Sequence, residues 1–411
     1  MKNGIRKRCE RFLIPHHKAK AIARMTKSII TKSFKFRISK PAQIVRERLE
    51  QTLYHCRFLY NASLQERRDA YKINHISLNY QAQQNQLPAI KVTNPEYKEI
   101  HSQVLQNVLK RVERAFDGFF RRLKAKQPAG FPRFKGQDGY DSFCYPQSGF
   151  SLTGDKLTLS KIGKVKIKLS RAVVGKVKTC TIKKEIDKWF VIFTVETAIE
   201  PLPRTGESVG LDMGISAFLT LSDGTQIDNW KYYESSQKKL RIAQRRLARR
   251  KKGSHRRRQA ALLLKKTHRK IKRQRNDWQH KISTYLVKNY DLLAIEKLNV
   301  LGLSRGILSK QVNDVAWSAF LDKLRYKVAN TDKQLIEVAP HFTSQDCSSC
   351  GNRVKKDLSV RIHHCLLCNL KIDRDFNAAI NILNKAVGHT VKDITWADAP
   401  CVSLESTTNL L

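Results

Sequence analysis

The apolar positions of this chain change rhythm several times. Phe34-Lys-Phe-Arg-Ile38 alternates apolar and polar, which predicts a strand. From Ala42 to Tyr71 the spacing becomes helical, with Val45, Leu49, Leu53, Cys56, Leu59 and Tyr60 on one face. Pro41 suits the first turn of that helix. Residues 79–93 read as a polar, Gln- and Asn-rich stretch. A second helix, about His101 to Lys126, carries Val104, Leu105, Val108, Val112, Ala115, Phe119 and Phe120. Its opposite face is basic: Lys110, Arg111, Arg114, Arg121 and Arg122. Gly130-Phe-Pro-Arg-Phe-Lys135 breaks it.

Period two then returns as far as about Thr197, in Leu157–Leu159, Val165–Leu169, Thr179–Ile182 and Trp189–Val195. Short strands with turn signals between them predict a small antiparallel sheet or barrel. Lysines between its apolar positions make one face basic. Pro201 to Gly206 reads as a linker. Val209–Ile215 and Phe218–Leu221 read as strands, and a Ser-Asp-Gly turn leads to a further strand at Thr225–Trp230, forming a hairpin. Two helices meet at Gly253-Ser254. The second keeps an apolar stripe of Leu264, Ile271, Trp278, Ile282 and Tyr285. Leu292-Leu-Ala-Ile295-Glu296 is a buried-type strand that ends in an acid. A helix at about 313–329 and a strand at Leu335–Val338 follow.

Charge changes this picture more than composition does. The chain has 411 residues, enough for two or three domains, and 41% are hydrophobic, an ordinary share. Lys and Arg number 79 against 35 Asp and Glu, a net charge of +44. Such a chain repels itself unless a polyanion sits on it, and nucleic acid is the obvious one. A ribosomal or chromatin-type binder without chemistry is the plainest reading. The densest run is Lys238–Lys281, where Asp277 is the only acid. A charge run is usually a solvated face. Here its density points to phosphate contact, with Arg245, Arg246, Arg249, Arg250, Arg256 and Arg257 as candidates.

The nine cysteines form no disulfide framework, which implies a reducing compartment. No run of 18 apolar residues suggests a membrane span. Residues 1–32 are basic without a signal-peptide core, with Met25 as an alternative start. Four cysteines are spaced for a metal: Cys347-x2-Cys350, fourteen residues, then Cys365-x2-Cys368. Two such turns present the S4 set that Zn2+ prefers, and four thiolates leave no open position for a catalytic water. The spacing between the pairs is one short of the usual ribbon range. Gly351 and Asn369 follow the two pairs, at positions suited to positive φ. His363 and His364 read as bystanders.

Three acids have the placing that metal-assisted phosphodiester cleavage requires. Asp212 lies in an apolar strand, Glu296 ends another, and Asp375 opens a helix just after the cysteines. An isolated strand acid is commonly a turn or edge residue. An acid within or ending an apolar strand is costly to bury unless paired or metal-bound. Carboxylates are the ligands that Mg2+ takes, and two Mg2+ ions can activate a water and neutralise phosphate oxygens. The order of strands and helices, with acids on the first strand, a later strand and the last helix, is an RNase H-like arrangement.

Gly210-Leu-Asp212-Met-Gly-Ile215, Ala294-Ile-Glu296-Lys-Leu298, the cysteine knuckle and Asp373-Arg-Asp375-Phe-Asn-Ala-Ala379 occur in an order and spacing that resemble the TnpB (OrfB) family of insertion-sequence proteins, relatives of type V CRISPR effectors. Gly130-Phe-Pro-Arg-Phe134 resembles the family too, and the likeness covers roughly residues 32–385. It implies an α/β plus β fold. An RNase H-like (RuvC) nuclease domain at 204–340 and 371–385 would carry a zinc ribbon at 341–370. A wedge-like β-barrel at 33–40 and 129–203 would hold an inserted helical recognition lobe at 41–128. A basic extension at 1–32 and a tail at 386–411 would flank them. The resemblance implies Mg2+-dependent, RNA-guided cleavage of double-stranded DNA beside a short motif, with Asp212, Glu296 and Asp375 as catalytic ligands. It further implies a guide RNA from the transposon end, a protein monomeric on its RNA, and a cytoplasmic, nucleoid-associated location in a prokaryote. Asp373 is the less favoured ligand. The basic extension, Asn369 where Gly is common, and the end after Asn384 depart from the family pattern. A guide-directed binder or repressor without cleavage, and a transposase acting directly in recombination, are the alternatives.

Overall fold

Alternation in the first segment extends further than the sequence suggests. In the computed structural model, which describes residues 29–230, 232–303, 309, 312, 315–357 and 360–388, strand β1 runs over Ile29–Ile38. Met25, most of the basic extension and the tail beyond 388 lie outside the described residues. Two units are present, Met1–Ala198 and Ile199–Leu411.

In the first unit, β1 is followed by helix α1 (Gln43–Asn74). Ala42 is its N-cap, so Pro41 stands just outside the helix instead of in its first turn. The 79–93 stretch is not merely polar: it forms α2 (Tyr80–Asn85) and α3 (Leu87–Thr93). The Asn79 side chain caps α2 by accepting from Ala82 N, and Pro88 stands in the first turn of α3. Buried Gln83 anchors α2 to α1, donating to Ser63 O at 2.9 Å. Helix α4 (Ser102–Lys124) buries Val104, Leu105, Val108, Leu109 and Val112 in the core it shares with α1. Phe120 is 58% exposed and does not join that core.

Six further strands complete the unit's sheet: β2 (Ser142–Tyr145), β3 (Phe150–Thr153), β4 (Lys156–Leu159), β5 (Gly163–Lys168), β6 (Lys176–Glu185) and β7 (Lys188–Ala198). The order is β2-β6-β7-β1-β5-β4-β3, and each pair is antiparallel. Helices α1 to α4 are thus an insertion between two strands of one sheet. In β5, Val165 and Ile167 face the core while Lys164, Lys166 and Lys168 are exposed, so this strand has a basic outer face.

The second unit begins with β8 (Ser208–Asp212), β9 (Ala217–Leu221) and β10 (Gln226–Asp228), an antiparallel meander. The residues read as a linker are fastened to this unit: Leu202 N donates to Thr331 O, and Gly206 N donates to Asp291. Helices α5 (Tyr232–Ala248) and α6 (His255–Asn289) form a hairpin whose turn is closed by Ser254, the α6 N-cap. Tyr285 is exposed, and Leu286 and Val287 take the core position instead. Strand β11 (Leu292–Glu296), helix α7 (Trp317–Thr331) and strand β12 (Gln334–Val338) follow. The first residues of the expected 313–329 helix fall partly outside the described residues. Strands β13 (Ile362–His364) and β14 (Lys371–Asp373) pair with each other, and α8 (Arg374–Val387) is the last described element. Among the described residues, no helix is long and apolar enough to cross a membrane.

The five-stranded sheet of this second unit has the order β10-β9-β8-β11-β12, with β8, β11 and β12 parallel. Alternation sorts its two faces. Val209, Leu211, Leu293 and Ile295 pack with Trp278, Ile282, Phe320 and Leu324 of α6 and α7. Ala294 and Val338 face the other way and pack with Ile382 of α8.

Candidate metal centre and acidic site

The parallel ladder places the two strand acids. It pairs Leu292 with Ser208 and continues to Ile295 with Leu211. One step further, Asp212 and Glu296 end neighbouring strands. By alternation both lie on the α8 side of the sheet. Gly210 lets α8 reach that side: a Cβ there would lie 2.0 Å from Ala379 O and 3.0 Å from Leu383 Cβ. No larger residue fits without moving the helix. Asp373 caps α8, accepting from Asp375 N at 2.9 Å and Phe376 N at 3.0 Å. Asp373 is taken up in the cap, and Asp375 in the first turn is the one of the two whose charge acts more strongly on Asp212.

Electrostatics reports the proximity. Burial first, then the charges of Glu296 and Asp375, together push the Asp212 carboxyl up to about 8, with Arg374 opposing them. Asp212 retains some exposure as a residue, but its carboxyl group lies deep among protein atoms. Burial also raises Glu296, against a hydrogen bond from Thr343 and the charge of Lys385. Asp375 pairs with Arg374 at 2.9 Å and with Arg361 at 3.6 Å. The acids are more open than a clustered ligand set: among the described residues, only the cysteines bring three or more such groups all within 4.8 Å of one another. Buried like charges favour a cation, and an all-carboxylate set suits a hard divalent one. The residues therefore fit Mg2+.

The cysteine quartet is tighter. Cys347 Sγ lies 3.6 Å from Cys368 Sγ, and Cys350 Sγ lies 3.5 Å from Cys365 Sγ. A tetrahedral S4 site with Zn–S near 2.3 Å has edges of about 3.8 Å, so the quartet fits Zn2+. Gly351 at φ 76° and Asn369 at φ 57° both take the left-handed conformation expected after each pair. Burial pushes Cys347 up to about 12. At Cys365 burial acts the same way but loses to hydrogen bonds from the backbone N–H of Cys368 and Leu367 and with the Cys350 and Cys368 thiols, which together bring the thiol down to about 6. His363 is buried beside Lys356, and neither His363 nor His364 belongs to the quartet.

The arginines expected on nucleic acid lie along the α5–α6 hairpin. Arg245, Arg246, Arg249 and Arg256 are exposed, and Arg250 is half-buried. Arg257 differs: its Nη1 donates to Leu247 O and Arg250 O, both at 2.9 Å, so it ties the turn together. Sequence reasoning missed three site residues. Thr343 gives its hydroxyl to Glu296, while Arg374 and Arg361 flank Asp375. Only Arg374 could have been suspected, from its place between two acids.

Family profiles match in three places: an IS605 OrfB profile described as a probable transposase at residues 187–306, a Cas12f1-like TNB domain at 317–382, and a helix-turn-helix domain at 25–75. The described part of the last match is a strand followed by one long helix. InsQ of Escherichia coli K12, provisionally named an RNA-guided DNA endonuclease, is 31% identical over 82% of this chain and 87% of its own length. A Streptomyces pristinaespiralis protein with the same kind of name is 32% identical over 86% of this chain and 89% of its own. Among solved structures, a Cas12f1–sgRNA–target DNA complex aligns at 18% identity and a TM-score of 0.34, covering 86% of this chain and 99% of that one. With two relatives above 30% identity over most of both lengths, the chain belongs to the TnpB/OrfB family of insertion-sequence proteins.

Proposed function

We propose that this protein is an RNA-guided DNA endonuclease of a transposable element, and that Asp212, Glu296 and Asp375 are its catalytic carboxylates. The observation that carries the reading is geometric. Two parallel strands end side by side in Asp212 and Glu296, beneath a helix whose first turn holds Asp375. The relatives' names supply the class of reaction. The sheet order, with three parallel strands and an antiparallel hairpin at one edge, supports the RNase H-like, RuvC-type description.

Mg2+ bound by the three acids would supply an activated water and charge neutralisation at the scissile phosphate. The chain's own contribution is placement. Asp212 and Glu296 are fixed by the ladder, and Asp375 is fixed by the Asp373 cap and the close approach at Gly210. Arg374 and Arg361 add positive charge beside Asp375, where charge builds on a phosphodiester under attack. The cysteine quartet serves as a closed, structural Zn2+ site. The exposed arginines of the α5–α6 hairpin engage the phosphate backbone. A guide RNA from the transposon end and a double-stranded DNA target are the partners, with one protein per RNA. The first unit serves as the wedge-like domain, and its α1–α4 insertion as the recognition lobe.

The test is to express the gene with its flanking element DNA, purify the ribonucleoprotein and sequence its RNA. Cleavage is then assayed on DNA matching that RNA. Wild type is expected to cut only with Mg2+, and Asp212→Ala to bind RNA and DNA without cutting. Undiminished Mg2+-dependent cutting by D212A would remove these residues from the chemistry. A wild-type complex that binds its target but never cuts would favour a guide-directed repressor.

A further inference from the structure

Helix α8 carries a polar stripe that the nuclease reading does not use. Asn377, Asn381 and Lys385 recur every four residues and so share one face. All three hold the segment that leads into the cysteine knuckle. Lys385 Nζ donates to His341 O at 2.5 Å. Asn381 Nδ2 donates to Thr343 O at 2.8 Å and Asp346 O at 2.6 Å. Asn377 Nδ2 donates to Asp346 O at 2.8 Å, and its Oδ1 accepts from Ser348 N at 2.9 Å. Asn377 is 0% exposed, Asn381 5% and Thr343 4%, so the asparagine part of the network is buried, while Lys385 continues it at the exposed end of the stripe. From inside it, the Thr343 hydroxyl reaches the Glu296 carboxylate.

We propose that Thr343 is a positioning residue for Glu296, held in place by the Asn377–Asn381–Lys385 ladder of α8. This rests on the nuclease reading for the role of Glu296, but not for the contact itself. Glu296 is the last residue of β11: the ladder pairs it with Val338 and fixes its backbone, and the Thr343 hydrogen bond acts on its carboxylate. The hydroxyl selects one orientation of the carboxylate and occupies one of its oxygens. The helix that presents Asp375 thereby also sets the aim of Glu296, through a loop that neither acid belongs to. Outer partners of metal-binding carboxylates typically contribute about 10–100-fold in affinity or activity.

The probes are Thr343→Val, which keeps the shape and removes the hydroxyl, and Thr343→Ser, which keeps the hydroxyl. Two readouts are taken. One is the Mg2+ concentration that half-saturates DNA cleavage by the ribonucleoprotein. The other is the Mg2+ concentration that gives half of the thermal stabilisation of the full chain without RNA, with Asp212→Asn as the unresponsive control. T343V is expected to need about 10–100-fold more Mg2+ in both, and T343S to restore both to within a few-fold. Asn381→Ala, which frees the loop but spares the hydroxyl, is expected to shift both the same way. Its effect should add less than independently to that of T343V. This variant also carries the test if T343V does not fold. Variants matching wild type in both readouts overturn the proposal. A target left uncut by the wild-type ribonucleoprotein at every Mg2+ concentration, with the thermal shift still weakened in T343V, would overturn the nuclease reading and leave the positioning role standing.

Discussion

A carboxyl group held near pH 8 keeps its proton in the folded protein long after the unfolded chain has released it. For Asp212 the window runs from the ordinary 3.8 to about 8. Within it the folded state binds more protons than the unfolded one. Stability therefore falls as pH rises, from its full value below the window to its lowest above it. Asp212→Asn is expected to flatten this slope and to stabilise the protein at pH 8 by about 1–3 kcal/mol in the absence of added divalent cation. Thermal melts of both proteins from pH 4 to 9, with zinc retained, provide the check; parallel curves would rule out a raised Asp212. Mg2+ is expected to stabilise wild type and leave D212N unchanged. At this scale the sequence was legible where a residue broke a pattern. Asp212 and Glu296 stand out because acids do not belong at the ends of apolar strands. Thr343 breaks no pattern: a threonine in a loop before a cysteine is unremarkable until a carboxylate is found against it.

Elements were legible where periodicity ran long. The α1, α4 and α6 stripes fixed their helices, and Gly253-Ser254 marked the turn between α5 and α6. The α2 and α3 helices escaped because α2 is held by the Asn79 cap and the burial of Gln83 against α1, and α3 by Pro88 in its first turn and buried Leu87, and none of these has a period. Similarly, the Pro201–Gly206 segment reads as a linker until Asp291 and Thr331 are seen to hold it. The α5–α6 hairpin separates two kinds of arginine that sequence treats alike. Replacing Arg245, Arg246 and Arg249 with alanine is expected to lower the salt slope of nucleic-acid binding by about 0.7–0.9 for each phosphate no longer neutralised, with no change in melting temperature. Arg257→Ala is expected to do the reverse, lowering stability by about 1 kcal/mol at nearly constant slope. Salt titrations of binding alongside melts distinguish them; equal behaviour of the two variants would contradict the assignment.

For the whole molecule, the order of the motifs was legible and their convergence was not. No local pattern reveals that β11 lies between β8 and β12, or which side of the sheet α8 covers. Metal removal tests how far the units depend on each other. Cys365→Ser is expected to drop zinc from one per chain to none and to expose the amides of residues 341–373 to exchange, since structural zinc contributes about 10–16 kcal/mol in small fingers. The core built on Phe36, Phe143 and Phe193 shares no residue with the knuckle and is expected to keep its protection. Elemental analysis with hydrogen exchange resolves the outcome, and loss of protection throughout the first unit would contradict it.

The close fit of α8 on Gly210 also bears on how the protein is made. The ribosome releases β8, β11 and β12 well before the helix that covers them. Until then the side of the sheet bearing Ala294 and Val338 is bare, and it is vulnerable to sticking to other chains. Two of the three acids are already neighbours at that stage, but the third has not arrived. If the three acids act together as proposed, a nascent or prematurely terminated chain lacks the third carboxylate, and cutting is expected only once α8 has docked.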